Sequence, residues 1–245
     1  MFALLFHSFL SILFPIIVRA AQQPLSTTTT VTLYYESLCP FSQEFFNHQL
    51  VKVHRSNLEN HVTIDLVPYG NVRVTRKEES SNKNGSTVEL KEFHCQHGTE
   101  ECFGNRIQGC VIEHYRNNNN QNNTTNGTKT STLSSKSTSF AFVECMFSDE
   151  HNLRDARGNA QRCAQKLNLD WSLFNKCADG PEGLRIFEEN GHKTDALQPP
   201  HTSVPWITID GVHNDAIQHE ARTDLLTYLC QHYLNHGRTF DGCSH

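Results

Sequence analysis

The segment VTLYYESLCPFS at residues 31–42 runs from a strand pattern into the start of a helix, and it decides the fold. Its first five residues are β-branched, apolar or aromatic, which predicts a buried strand. Phe46 and Leu50 then recur at helical spacing, and residues 62–67 alternate as a second strand that stops at Pro68. Strand, helix and strand in this order predict a βαβ unit, in which the two strands are parallel.

Cys39 is the candidate catalytic residue because it lies where the first strand gives way to the first helix. Pro40 suits the first helical position, where its missing N–H would have had no partner. A sulfur at a helix N-terminus faces free amides and the positive end of the helix dipole, and both favour the thiolate that attacks disulfides. The position therefore predicts a nucleophile, with a structural disulfide or a degenerate site as the alternatives.

Ser42 stands where the dithiol form of this C-x-x-C motif has its second cysteine. A cysteine at that place would displace the substrate from a mixed disulfide, whereas a hydroxyl can only donate a hydrogen bond to the Cys39 thiolate. We therefore expect Cys39 to form mixed disulfides, and we expect the intramolecular disulfide cycle to be unavailable.

Pro205 is the expected neighbour of the Cys39 motif in space. It directly precedes the apolar residues 206–209, which predict a strand, and Asp210-Gly211 after them is typical of a hairpin turn. In thioredoxin-like folds a cis proline stands at this place and faces the redox helix. We therefore predict that the Val204–Pro205 peptide bond is cis.

Four further helices are predicted in the second half of the chain. They cover residues 153–167, residues 171–178 with Asp170 as the N-cap, residues 181–190 with Gly191 as the stop, and residues 225–233. Together with the βαβ unit, these elements predict an α/β fold of the thioredoxin-like class that carries a cysteine-rich insertion and a helical insertion.

Residues 71–146 lack a regular pattern, which predicts an irregular, cysteine-rich insertion. Residues 117–139 within it are rich in Asn, Thr and Ser and predict a solvated low-complexity loop, because they cannot bury enough surface to offset the entropy of ordering. We interpret this segment as an Asn-rich disordered insert without a function. Sequons predict N-glycosylation in this region at Asn84, Asn122, Asn123 and Asn126.

The most specific segment is CQHGTEECFGNRIQGC at residues 95–110. Its pattern, C-Q-H-G-x-x-E-C-x-x-N-x-x-x-x-C, matches the signature of the gamma-interferon-inducible lysosomal thiol reductase family at every fixed position. The later cysteines and the Pro199-Pro200-His201 segment before Pro205 also resemble that family in order and spacing. The resemblance covers roughly residues 31–230.

The resemblance implies a thioredoxin-like fold and the reduction of protein disulfides, best at acidic pH, in lysosome-like compartments or outside the cell. It matches Cys39 to the attacking cysteine of the family and Pro205 to the proline that faces it. Ser42 departs from the family pattern, which has a resolving cysteine at that position.

Nine cysteines in 245 residues are many for a reducing cytosol and favour an oxidising compartment. Those outside the Cys39 motif are expected to form up to four disulfides, with 105 pairings open. These eight are Cys95, Cys102, Cys110, Cys145, Cys163, Cys177, Cys230 and Cys243. A zinc site at Cys95, His97, Cys102 and Cys110 is the alternative, but its spacings lack the paired C-x-x-C habit. We expect no bound metal, and we interpret His97 as a local hydrogen-bonding residue.

An export signal is predicted at the start of the chain. Residues 2–18 are apolar and uncharged, and the small residues of Arg19-Ala20-Ala21 suit signal-peptidase cleavage. This pattern predicts a signal peptide at residues 1–21 and a single domain at residues 22–245, with a membrane-retained signal anchor as the alternative. The net charge of −5 excludes a general nucleic-acid binder. We expect the mature chain to be free of the membrane and to lie in the secretory pathway, outside the cell or in a lysosome or vacuole.

The expected function is that of a monothiol thiol-disulfide oxidoreductase. Cys39 attacks a protein disulfide, an external small thiol such as glutathione or cysteine releases it, and no cofactor is bound. A disulfide isomerase or retention protein is one alternative, because a mixed disulfide without a resolving thiol lives longer. A non-enzymatic secreted glycoprotein with an inert Cys39 is the other.

Overall fold

The computed structural model describes residues 28–81, 86–122, 135–148, 155–234 and 241–243. The predicted signal peptide at residues 1–21 and the sequons at Asn84, Asn123 and Asn126 lie outside these residues. The sequon residue Asn122 ends a helix. Glycosylation and the division into a signal peptide and a mature domain therefore stay predictions.

A three-stranded sheet in the order β2-β1-β5 forms the centre of the fold. The strands are β1 at Thr29–Tyr35, β2 at Val62–Pro68 and β5 at Trp206–Ile209. β2 runs parallel to β1, which confirms the predicted βαβ unit, and β5 runs antiparallel to β1 on its other side. β1 is thus the middle strand, and the Cys39 motif follows its carboxyl end.

The helix that follows β1 is built from three consecutive segments. These are α1 at Pro40–Phe45, a π-helical turn at Phe46–Leu50 and α2 at Val51–His54. Phe46 and Leu50 are fully buried and pack in one cluster with the β1 residues Val31 and Leu33. The helical spacing of these apolar residues therefore fixes the helix, and with it Cys39, against the sheet.

The predicted irregular insertion at residues 71–146 is largely regular, so that prediction was wrong. β3 at Arg73–Ser81 and β4 at Ser86–His94 form an antiparallel hairpin, followed by α3 at Thr99–Asn122 and α4 at Ser135–Ser148. α3 buries Phe103, Ile107, Cys110 and Val111 along one face, a helical spacing that the cysteine pattern concealed.

The described residues of the predicted loop at residues 117–139 are helical, so for them that prediction was wrong. α3 continues to Asn122 and α4 already begins at Ser135. A helix that is already nucleated and packed adds residues at little entropic cost, so the polar Asn run extends α3 although it would not start a helix.

Three helices follow, α5 at Ala156–Lys166, α6 at Trp171–Asp179 and α7 at Pro181–Asp195. Asp170 caps α6 as predicted, because its carboxylate accepts a hydrogen bond from the Leu173 N–H. Gly191 does not stop α7. It lies inside the helix, where a β-carbon would stand 2.7 Å from the ring of Tyr69, so close packing rather than helix termination explains the glycine.

The chain ends in α8 at Asp215–Leu229, a π-helical turn at Cys230–Leu234 and a 3₁₀ turn at Asp241–Cys243. The predicted hairpin at Asp210-Gly211 is reduced to a tight turn, closed by a single bridge between Ile209 and Val212. The strand order, the helix after β1 and the antiparallel β5 make this a mixed α/β fold of the thioredoxin-like class.

Two apolar cores and four disulfides hold the structure together. The first core surrounds the sheet, and the second lies among α3 to α7 around Phe142, Met146 and Phe174. The bridges join Cys95 to Cys102, Cys110 to Cys177, Cys145 to Cys163 and Cys230 to Cys243. No helix among the described residues has the length and apolar character needed to cross a membrane.

Candidate functional site

Cys39 is the N-cap residue of α1 and is the free cysteine of the chain. Its backbone is extended, and its carbonyl accepts the Gln43 N–H at 3.1 Å. Only 6% of the residue is exposed. The Cys39 thiol lies 3.9 Å from the carbonyl oxygen of Val204, and the Val204–Pro205 peptide bond is cis, as predicted. The sulfur therefore stands at a helix N-terminus and beside the segment that enters β5.

Ser42 is fully buried one turn further along α1. Its hydroxyl has no hydrogen-bond partner among the described residues, so it does not donate to Cys39 in this structure. An unpaired buried hydroxyl costs about 1–3 kcal/mol. Ser42 thus occupies the position of the resolving cysteine but supplies neither a sulfur nor a hydrogen bond to Cys39.

The Pro205 segment beside Cys39 is held in place by a residue of α8. Phe41, two residues after Cys39 in α1, is 59% exposed, whereas Cys39 is buried. Behind Pro205, the side chain of Gln218 donates to the Pro205 carbonyl at 2.8 Å and accepts the Ile207 N–H at 3.1 Å. Gln218 therefore fixes the segment that faces Cys39, a role that the sequence analysis did not assign to it.

Residues of the 95–110 signature hold the Cys39 loop, which we define as residues 36–39. Asn105 accepts the Ser37 N–H at 2.8 Å and donates to the Tyr69 carbonyl at 3.3 Å. The Ser37 hydroxyl donates to the carbonyl of Glu101 at 3.2 Å. Gln108 accepts the hydroxyl of Tyr35, the last residue of β1, at 2.7 Å. α3 therefore clamps the loop from its buried side.

Glu36, His97 and Glu101 form a second group, which we call the carboxylate cluster and in which the His97 side chain is 33% exposed. Both carboxylate side chains are fully buried, and His97 Nδ1 lies 2.5 Å from Glu101 Oε2 and 3.5 Å from Glu36 Oε2. The other Glu36 oxygen accepts the Asn71 N–H at 2.7 Å. Gly70, at φ +68°, makes room for this arrangement, because a β-carbon there would overlap the Glu36 side chain.

The electrostatics of the cluster favour a proton on Glu36. Burial, and then the charge of Glu101, raise the pKa of the Glu36 carboxyl from 4.5 to about 7, although the Asn71 N–H and His97 oppose this shift. Burial penalises the charged carboxylate, and a like charge nearby adds to that penalty. The site therefore contains a carboxyl group that changes its charge close to neutral pH.

Comparison with known proteins assigns the family. The family model described as gamma interferon inducible lysosomal thiol reductase matches residues 30–167. The chain belongs to this family. The reductase of that name from Carassius auratus is 36% identical over 210 residues, which are 85% of this chain and 70% of the relative. A reductase-like protein from Anopheles gambiae is 31% identical over 202 residues, 82% of this chain and 75% of the relative.

Solved structures resemble this thiol reductase family member only distantly. A putative protein disulfide isomerase from Nitrosomonas europaea is 12% identical, with a TM-score of 0.44, over 84% of this chain and 99% of that chain. The fold is therefore assigned from the strand order and the position of Cys39.

The cysteines of the thiol reductase signature are occupied by disulfides. Cys95 bonds to Cys102 and Cys110 bonds to Cys177, so the zinc alternative at Cys95, His97, Cys102 and Cys110 is wrong. The carboxylate cluster also offers ligand atoms within 4.8 Å of one another. In this structure a short hydrogen bond joins His97 to Glu101.

The sequence analysis identified Cys39, Ser42 and Pro205 but missed the residues that position them. Among the signature residues of this family, Glu101, Asn105 and Gln108 recur at intervals of four and three. That spacing places these three residues on one face of α3, and His97 lies in the turn before the helix. The sequence could have indicated the role of the three, because they form a row of polar residues on one face of a helix whose apolar residues lie on another face. His97 was correctly interpreted as a local hydrogen-bonding residue.

Proposed function

We propose that this family member is a thiol-disulfide oxidoreductase of the monothiol type, acting on protein disulfides. Family membership supports the thiol oxidoreductase activity. The observation that carries the monothiol form is the free Cys39 at the N-cap of α1, with Ser42 at the resolving position. Free amides at a helix start favour the thiolate, which is the attacking form.

The exchange takes three steps. The Cys39 thiolate attacks one sulfur of the substrate disulfide, forms a mixed disulfide and expels the other sulfur as a thiolate, which takes up a proton. A small external thiolate then attacks the Cys39 sulfur, so that the substrate leaves fully reduced and Cys39 carries the small thiol. A second small thiol restores free Cys39 and leaves as its own disulfide.

An external thiol is required because the chain holds no second free thiol. The eight other cysteines are paired in the four bridges, and Ser42 cannot displace a bound sulfur. Glutathione or cysteine is the proposed reductant, and no bound cofactor is needed for these steps.

The proposed location is the secretory pathway, ending outside the cell or in a lysosome or vacuole. Four disulfides suit an oxidising compartment. The apolar segment at residues 2–18 and the sequons support the same route. The proposed partners are disulfide-containing proteins, and neither a nucleic acid nor, after cleavage, a membrane is expected to bind.

Three proteins test the mechanism: the wild type, Cys39→Ser and Ser42→Cys. Reduction of a fluorescent disulfide peptide is measured with glutathione or cysteine, and mixed disulfides are trapped by acid and identified by mass spectrometry. The wild type should form an adduct on Cys39 and turn over in proportion to the external thiol, whereas Cys39→Ser should do neither. A wild type that forms no Cys39 adduct at any pH would refute the proposal.

The Ser42→Cys protein separates the monothiol mechanism from the dithiol mechanism. We expect it to oxidise to an internal disulfide between Cys39 and the sulfur introduced at position 42, and to lose the dependence of substrate release on external thiol. If the release step of Ser42→Cys depends on external thiol as the wild type does, Ser42 is not the reason for the monothiol form.

Disulfide isomerisation is the second candidate, and the absence of a sulfur at Ser42 favours it. Without a resolving thiol the mixed disulfide persists, which allows the substrate to rearrange or to be retained. Recovery of activity by scrambled ribonuclease without added reductant supports isomerisation. Failure to recover it, together with strong peptide reduction in the presence of glutathione, rejects this candidate.

A further inference from the structure

The carboxylate cluster takes no part in the exchange proposed above, and each of its carboxylates has one oxygen held by a backbone amide. Glu36 Oε1 accepts the Asn71 N–H at 2.7 Å, and Glu101 Oε1 accepts the His97 N–H at 3.1 Å. The second oxygens, Glu36 Oε2 and Glu101 Oε2, lie 3.5 Å and 2.5 Å from His97 Nδ1. Hydrogen bonds of this kind orient the ligating carboxylates of metal sites. Two carboxylate oxygens and one imidazole nitrogen therefore face one another, all within 4.8 Å.

Glu36 Oε2 is the oxygen of the cluster that lacks a partner. The Glu36 side chain is fully buried, and this oxygen has no hydrogen bond among the described residues. The charged groups that act on Glu36 among those residues are Glu101 and His97, so that one imidazole faces two carboxylates. Without an ion, a proton relieves the repulsion, because burial and Glu101 raise the pKa of the Glu36 carboxyl to about 7. A divalent cation neutralises both carboxylates at once.

We propose that Glu36, His97 and Glu101 bind a divalent transition-metal ion, for which Zn²⁺ is the probe. The donor set favours this class, because imidazole nitrogen and carboxylate oxygen both suit zinc, whereas Ca²⁺ and Mg²⁺ prefer oxygen ligands alone. The His97 side chain is 33% exposed, which gives the ion a path from solvent and leaves room for water as a further ligand. The ion plays no part in any step of the exchange, so the site is independent of the proposed function.

This site differs from the zinc site that the disulfides exclude. Its ligands are two carboxylates and an imidazole, whereas the signature cysteines are bonded to other cysteines. An ion here joins the Cys39 loop, through Glu36, to the first turn of α3, where Glu101 lies. The expected consequence is a metal-dependent link between two parts of the chain that carry the catalytic motif and the family signature.

Binding requires a small rearrangement of the cluster. Ligand atoms about 2.1 Å from a tetrahedral zinc ion are about 3.4 Å apart. His97 Nδ1 and Glu36 Oε2, at 3.5 Å, already have this separation. His97 Nδ1 and Glu101 Oε2, at 2.5 Å, must move apart by about 0.9 Å. The proton of their hydrogen bond then passes to solvent as the two bonds to the metal form, so that binding releases a proton.

The test measures Zn²⁺ binding to the full chain by isothermal titration calorimetry, after metal has been removed with EDTA. Every protein carries Cys39→Ser, so that the free thiol cannot bind the probe. At about pH 7.5 we expect one ion per chain, a dissociation constant of about 10 µM or lower, and a heat that varies with the ionisation enthalpy of the buffer. Glu36→Gln and His97→Gln should each weaken binding by about 100-fold or more.

Glu44→Gln and His192→Gln are the matched controls, because each removes an exposed side chain of the same type outside the cluster. Both should bind zinc as the parent protein does. If the parent binds no zinc, or if Glu36→Gln and His97→Gln bind it as tightly as the controls, the inference is overturned while the proposed function stands.

X-ray absorption spectroscopy of the zinc complex decides the question even if the two cluster variants do not fold. The parent protein should show nitrogen and oxygen ligands at about 2.0–2.2 Å, one imidazole among them, and no sulfur at about 2.3 Å. A sulfur ligand, or more than one imidazole, would place the ion elsewhere in the chain and contradict the proposed site.

Discussion

Replacing Glu36 by Gln should remove a pH dependence from the stability of the protein. An unfolded glutamate releases its proton near 4.5, whereas burial and Glu101 hold the pKa of Glu36 in the folded protein at about 7. Between these values the folded state binds more protons than the unfolded state, so the free energy of unfolding falls as the pH rises. The stabilisation is complete below pH 4.5 and is lost above about pH 7.

The size of this effect follows from the distance between the two pKa values. The shift from 4.5 to about 7, at about 1.4 kcal/mol for each unit, corresponds to about 3 kcal/mol of unfolding free energy. Urea unfolding at about pH 4 and about pH 8 measures it, with Cys39→Ser in every protein to prevent thiol exchange. Relative to the wild type, Glu36→Gln should gain about 3 kcal/mol between the two pH values.

The Glu44→Gln protein is the control, because it removes an exposed carboxylate from α1 in the same way. Its difference from the wild type should be the same at both pH values. If the difference between Glu36→Gln and the wild type is also constant within about 0.5 kcal/mol, Glu36 titrates normally in the folded protein, and the reasoning from its burial is refuted.

Three other variants test the packing of the fold. Asn105→Ala removes the acceptor of the Ser37 N–H and should lower the unfolding free energy by about 2–3 kcal/mol in urea; a loss below about 1 kcal/mol would show that water replaces the clamp. Gly191→Ala places a β-carbon 2.7 Å from the Tyr69 ring and should destabilise by about 1–3 kcal/mol, although Ala favours helices; a more stable variant would contradict the overlap. Replacing both Cys110 and Cys177 by Ser removes a disulfide between residues 67 apart and should lower the free energy of unfolding by about 4 kcal/mol. Thermal unfolding measures this loss, and an unchanged melting temperature would argue against a structural role of the disulfide.

The sequence predicted the sheet and the position of Cys39 at a helix N-terminus because both depend on local patterns. A short stretch of sequence is enough to recognise the strand patterns of β1 and β2. The same is true of the helical spacing of Phe46 and Leu50. Cys39 was found because a helix N-terminus is itself a local feature. The helix start at Asp170 was predicted for the same reason.

The residues that tune the site were missed because their environment is set by distant parts of the chain. From the sequence alone, Glu36 is a polar residue in a loop. It is buried because Gly70, Asn71 and Glu101 pack around it in the folded chain. From the sequence alone, Gly191 is predicted to end a helix. The position of Tyr69 shows instead that the glycine allows the Tyr69 ring to pack closely against α7. The secondary-structure preference of a residue does not predict its role where contacts between distant parts of the chain determine whether it is buried.

The hydrogen bonds that hold the Cys39 loop come from α3 and from Gln43 of α1, and the hydroxyl of Ser42 takes part in none of them. Serine and cysteine codons differ by one base. In evolutionary terms, a serine and a cysteine can therefore replace each other at position 42 without removing any of the hydrogen bonds that hold the loop.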